Sequence, residues 1–143
     1  MAQHDLQPGA PVIAGFGMTR DVTVDILMEL FTETLKAAQL EAGAVTGIAT
    51  LAIHADLPAC HELSARLGVK LHAVEEAELP QVDARVVTRS ERILKRFGTG
   101  SIAEAAALLV AGADARILAP RLRARTARCS ATCALAGQAG ERT

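Results

Sequence analysis

The chain has almost no aromatic residues: three Phe, no Trp and no Tyr, 2% of the total. Proteins that hold single-stranded nucleic acid stack its bases on aromatic side chains, so the composition argues against that class. The core has to be built from Ala, Val, Leu and Ile instead. Cysteine is scarce as well. Three cysteines, an odd number without framework spacing, do not make a disulfide scaffold and fit free thiols of a reducing cytoplasm. Neither sign of charge is in excess: 15 Lys+Arg against 16 Asp+Glu leave a net charge of −1, so there is no global basic field to hold DNA or an anionic membrane. No apolar run approaches the length that crosses a bilayer, and Met1-Ala2-Gln3-His4-Asp5-Leu6 lacks the basic and apolar regions of a signal peptide. The expectation is a cytoplasmic protein with no nucleic acid and no membrane among its partners. What remains is 143 residues, half of them apolar, enough for one domain with a real core.

The stretch Gly98-Thr99-Gly100-Ser101-Ile102-Ala103-Glu104-Ala105-Ala106-Ala107 and on to Gly112 organises the rest. Its two glycines permit close approach of another group to the backbone. Ser101 and Glu104 have the spacing of a capping box, in which each side chain satisfies the other's backbone N–H. The alanine-rich helix that follows, stopped by Gly112, has few bulky side chains and must lie flat against its neighbour. A glycine-rich entry to a helix N-terminus also presents free N–H groups to an anion.

Pro11-Val12-Ile13-Ala14-Gly15-Phe16-Gly17 reads as a buried strand. Thr23 caps a helix whose apolar residues Ile26, Leu27, Leu30, Phe31, Leu35 and Ala38 recur at helical spacing and which ends near Gly43. Gly47 to His54 reads as a second strand, Asp56 and Pro58 open a second helix with Cys60, Leu63 and Leu67 as its apolar stripe and Gly68 as its stop, and Val69 to Val74 reads as a third strand. Glu75 to Leu79 is an acidic turn or short helix closed by Pro80. Thr88 and Glu91 have the spacing of a second capping box, opening a short basic helix to Phe97. Ala115 to Pro120 is a fourth strand, Arg121-Leu122-Arg123-Ala124-Arg125 a basic link, and Ala127 to Ala136 a last strand. The alternation of strand and helix predicts a single three-layer α/β/α domain over residues 11–136, with a mixed or mostly parallel sheet of about five strands. Residues 1–10 and 137–143 are expected to be flexible tails.

Together the glycines after the first strand, Ala55-Asp56-Leu57-Pro58 after the second, the Gly98-Thr99-Gly100-Ser101-Ile102-Ala103-Glu104-Ala105-Ala106-Ala107 segment and Leu118-Ala119-Pro120-Arg121 resemble the CobE and CbiG C-terminal-domain family of cobalamin biosynthesis. The resemblance runs from about Val12 to about Ala136. It implies a stand-alone module that binds a corrin or precorrin intermediate as carrier or accessory factor and works beside other cobalamin-pathway enzymes. The longer members of the family open a lactone ring on a cobalt-precorrin, so the resemblance also admits a hydrolase. Met18 stands where such sequences often have cysteine, and Arg121 where lysine is usual.

Ligand-binding candidates are Gly15, Phe16, Gly17 and Arg20 after the first strand, Gly98, Thr99, Gly100 and Ser101 before the alanine helix, and Arg121. Gly15-Phe16-Gly17 is no dinucleotide fingerprint, since Arg20 occupies the third glycine's place. It is either a tight turn or a carboxylate or phosphate cradle, at the carboxyl end of a strand where α/β sheets bind ligands. His54 ends a predicted strand and is the candidate base. Cys129 and Cys133 share a strand face, which is too few ligands for zinc, and no metal or cofactor is expected. Arg85, Arg89, Arg92, Lys95 and Arg96 form one basic stretch and Arg116, Arg121, Arg123, Arg125 and Arg128 another. If both face one cleft they make an anion-attracting rim; otherwise they are a solvated surface. No nucleophile–base pair is visible, so binding without chemistry is the leading expectation. Hydrolysis of a precorrin lactone and a nucleotide-binding regulatory domain are the alternatives.

Overall fold

The computed structural model describes residues 10–138; of the expected tails, 1–10 and 137–143, residues 1–9 and 139–143 lie outside the described residues. Five strands, β1 (Val12–Met18), β2 (Gly47–Leu51), β3 (Lys70–Val74), β4 (Arg116–Arg125) and β5 (Ser130–Gly137), form one sheet in the order β3-β2-β1-β5-β4. β1, β2 and β3 run parallel, as helical crossovers require. β5 is antiparallel to both β1 and β4, so the mixed alternative holds. β4 and β5 form a hairpin whose turn is fixed by Thr126: its N–H donates to the Cys129 carbonyl, and its Oγ1 accepts from the Arg128 and Cys129 N–H groups.

On one face pack α1 (Val24–Ala38) and α3 (Pro58–Leu67); on the other packs α5 (Ile102–Ala111), flanked by α4 (Glu91–Phe97) and a 3₁₀ segment, Glu76–Arg85. β1 divides its residues between the faces by the alternation of a strand. Val12, Ala14 and Phe16 enter the α1 core, while Ile13 joins the α5 core and Gly15 lies directly beneath α5. Thr23 caps α1, accepting from the Ile26 N–H at 3.3 Å.

Several elements differ from the sequence expectation. α1 ends at Gln39, which takes the left-handed conformation (φ 57°), not near Gly43. β2 stops at Leu51, where its pairing with β3 ends at Val74, and the chain turns at once into a single helical turn, α2 (Ala52–Ala55). His54 is therefore on a helix and not at a strand end. The 3₁₀ segment continues through Pro80 to Arg85. The cap of α4 is Ser90, accepting from the Ile93 N–H, and not Thr88. The supposed basic link is strand: β4 runs on to Arg125 because β5 supplies an antiparallel partner for it. Pro120 is tolerated there because β4 is an edge strand with register shifts on either side of Ala119. β5 reaches Gly137, one residue past the expected boundary.

Candidate functional site

Ser101 caps α5 as expected, its Oγ accepting from the Glu104 N–H at 3.2 Å. Glu104 does not complete the capping box. Its side chain is fully buried and turns outward from the cap to gather donors from two other segments. Oε1 accepts from the Val87 N–H at 2.7 Å and the Thr88 N–H at 3.0 Å; Oε2 accepts from the Thr88 hydroxyl and from the Arg121 N–H at 2.9 Å. The β4 irregularity between Ala119 and Leu122 frees the Arg121 N–H from the ladder for this bond. Buried polar groups need partners, and here one side chain satisfies three backbone donors while tying α5 to β4 and to the approach of α4. The signal in the sequence was a lone acid in an otherwise apolar helix, Ile102–Ala111.

The Gly98–Gly100 turn is held by a second carboxylate. Asp83 accepts from Arg89 Nη1 at 2.9 Å and Nη2 at 3.0 Å, and from the Gly100 N–H at 2.9 Å. The Arg89 pairing, with the Gly100 N–H adding to it, holds the Asp83 carboxyl down at about 2. The close approach that Gly100 permits is to the chain's own backbone: a Cβ there would lie 2.4 Å from the Thr88 carbonyl oxygen. Gly98 caps α4 in the left-handed region (φ 76°), against Pro80. Thr99 and Ser101 are buried. Gly15 is equally enclosed, since a Cβ would meet the Ala103 carbonyl oxygen at 2.0 Å. Phe16 is core.

One cleft lies at the carboxyl end of β1. Gly17, Met18 and Thr19 form its floor with Ser130, Ala131 and Thr132 of β5, and Ile102 at the start of α5 and Ile93 of α4 close one side. Its volume is about 180 Å³. Four arginines line it: Arg92 from α4, and Arg121, Arg123 and Arg125 from alternate positions of β4. No acidic side chain is among the lining residues. The two basic stretches thus meet in part. The Arg121 guanidinium has its pKa lowered, first by burial and then by the charge of Arg123; Glu104 pulls the other way, and Arg92 adds the smallest lowering. The other arginines of the first stretch go elsewhere: Arg85 donates to the Gly112 and Ala115 carbonyls, Arg89 donates to Asp83, and Arg96 lies over the Phe97 ring.

Of the predicted site residues, Gly17 and Arg121 line this cleft, and Arg92, Arg123 and Arg125 join them. Arg20, Gly15, Phe16, Gly98, Thr99, Gly100, Ser101 and His54 do not. Arg20 is exposed and acts on His54, whose pKa is lowered by burial first and by the Arg20 charge second. His54 Nδ1 is buried without a hydrogen-bond partner. The cysteines are free and buried. Burial pushes the Cys60 thiol up to about 11 and the Cys133 thiol up to about 12, so neither is a thiolate nucleophile at neutral pH. Among the described residues, no helix is long and apolar enough to cross a membrane, and no group of three or more His, Cys, Asp or Glu is placed to hold a metal ion.

The model of the family described as Cobalamin synthesis G C-terminus matches residues 12–136. The chain belongs to that family. It is a cobalamin biosynthesis protein. Protein CobE of Sinorhizobium sp. is 28% identical over 140 residues, covering 96% of this chain and 88% of that protein. A crystal structure of CobE, a protein from the cobalamin (vitamin B12) biosynthetic pathway, superposes with a TM-score of 0.78 at 28% identity, covering 94% of each chain. The cobalamin biosynthesis protein chiG of Agrobacterium tumefaciens gives 0.66 at 31% identity, covering 89% of this chain and 98% of that one. A putative cobalamin biosynthesis protein G homolog of Sulfolobus solfataricus shares the fold, with a TM-score of 0.67 at 18% identity, and this chain covers 36% of it. Within the family match, the cleft is built from β1, β4, β5 and the entries to α4 and α5, all inside residues 12–136.

Proposed function

We propose that the protein binds a polycarboxylate tetrapyrrole or corrinoid intermediate in the arginine cleft, as a carrier or accessory factor of the pathway. One observation supports this most: four arginines from two separate stretches of chain line one cleft, and no acidic residue lines it with them. Like charges gathered this way repel, and a partly desolvated Arg121 sharpens the repulsion. An incoming polycarboxylate relieves it. Arginine forks match carboxylates in geometry, and each such charge-assisted contact is worth roughly 1.5–3 kcal/mol. The nucleotide reading has less support, because Gly15 and Gly100 already hold the chain's own backbone at their open sides.

The test is an absorbance titration with a corrin bearing free side-chain carboxylates. Arg121→Ala and Arg123→Ala should each weaken binding about tenfold or more, high salt should weaken the wild type, and Arg20→Ala, outside the cleft, should leave affinity unchanged. Unchanged affinity in both cleft variants removes the cleft from the function. Hydrolysis of a precorrin lactone is the second reading, with His54, kept toward its neutral form by burial and the Arg20 charge, as its base. It requires turnover that His54→Ala abolishes. Binding without product formation by the wild type discards it.

A further inference from the structure

Resting on the arginine cleft as the ligand site, we infer that it holds its ligand by one carboxylated edge and leaves the macrocycle outside the protein. Two features carry this. The first is size. The cleft has a volume of about 180 Å³, below the roughly 300–1,000 Å³ of pockets that enclose a drug-sized ligand, and a tetrapyrrole with its side chains is larger than that class. The second is the arrangement of charge. Arg123 and Arg125 occupy alternate residues of the regularly paired part of β4, about 7 Å apart along the strand, and Arg121 precedes them at the register shift. A row reads neighbouring carboxylates along one rim of a ring, while Arg92 stands opposite on α4. A larger groove of about 610 Å³ lies between α1 and β4; Glu29 and Glu33 line it together with Arg123, and two carboxylates against one guanidinium disfavour a polyanion there. The ring therefore remains at the surface, with its faces open to solvent or to the next protein that takes it.

The experiment uses the full chain and an aquo-cobalt(III) corrin whose side chains are free carboxylates. Cyanide substitution at the cobalt is followed by absorbance, free in solution and with the corrin saturated by protein. With the ring outside, the bound corrin exchanges within about threefold of the free rate, and Arg121→Ala, Arg123→Ala and Arg125→Ala each lower affinity by a similar factor. Slowing of tenfold or more on saturation means an enclosed ring and overturns the edge-on seating. If binding is still lost in the arginine variants, that result leaves the cleft as the ligand site and removes the seating alone. A chain that binds no carboxylate corrin at all overturns both.

Discussion

The two helical layers cover one sheet by different means. α1 presents Leu27, Leu30, Phe31 and Leu35, all buried, to the Val12, Ala14 and Phe16 face of β1. α5 presents Ala103, Ala106 and Ala107 to a face on which β1 has glycine, and the Ala103 carbonyl oxygen lies 2.0 Å from where a Gly15 Cβ would be. Bulky side chains keep α1 at a distance that its rotamers can adjust. Backbone against backbone leaves α5 no such slack. The close layer is the one that carries the site: its entry, its buried Glu104 and the β4 arginines all depend on where α5 sits.

This contrast is broken most severely at Gly15. Gly15→Ala should cost more than about 4 kcal/mol, since the clash is with main chain and cannot be relieved by a rotamer, and Gly15→Val should prevent folding. Leu30→Ala on the opposite layer removes three carbons and should cost roughly 2–5 kcal/mol. Urea unfolding of the alanine variants compares them directly. A smaller loss from the added methyl than from the deleted side chain would show that α5 moves freely. Glu104→Gln comes next. Its amide NH₂ would face N–H and hydroxyl donors, stranding buried groups at roughly 1–3 kcal/mol each, so about 3 kcal/mol should be lost in the same assay. A loss under 1 kcal/mol would mean that water replaces the carboxylate.

The caps sharpen the comparison on a finer scale. Ser101→Ala and Thr23→Ala each remove one side-chain cap, worth about 1 kcal/mol. Ser101 is buried and Thr23 exposed, so the Glu104 N–H left without its partner has no water to turn to, and Ser101→Ala should be the costlier in thermal melts. Equal losses would mean that solvent reaches the α5 entry.

Much of this layering was legible in the chain. The apolar run that ends in Gly15-Phe16-Gly17 reads as a buried strand and the alanine run after Ser101 as a helix that must lie flat, and the caps at Thr23 and Ser101 follow from local chemistry. What was not legible depends on distant pairing. Arg121–Arg125 becomes strand only because β5 returns antiparallel beside it, and no local signal separates that stretch from a basic link. Glu104 has the spacing of a cap partner, and only the fold shows that Val87, Thr88 and Arg121 bring better donors within reach. The site was divided in the same way: the two basic stretches were visible, but that Arg92 and the β4 arginines share a cleft while Arg20 stands apart with His54 is a property of the sheet order.

The smallest expected effect concerns the turn that leads into the close layer. Asp83 binds Arg89 and the Gly100 N–H together, and its folded carboxyl titrates at about 2 against an ordinary value of 3.8. A folded pKa below the unfolded one means that the unfolded chain binds the proton more readily. The stability from Asp83 is therefore fully present above pH about 4 and lost as pH falls through about 2. Asp83→Asn keeps the shape and removes the charge, so it should be less stable than wild type at neutral pH, by a margin that is constant down to pH about 4. Below that, the two curves should converge. Other carboxyls titrate in the same window, but they do so in both proteins and cancel in the difference. Denaturant unfolding of the pair at a series of pH values checks this. A margin that stays constant to pH 2 would mean that Asp83 acts as a neutral hydrogen-bond acceptor, and that the Gly98–Gly100 turn owes nothing to the charge of Arg89.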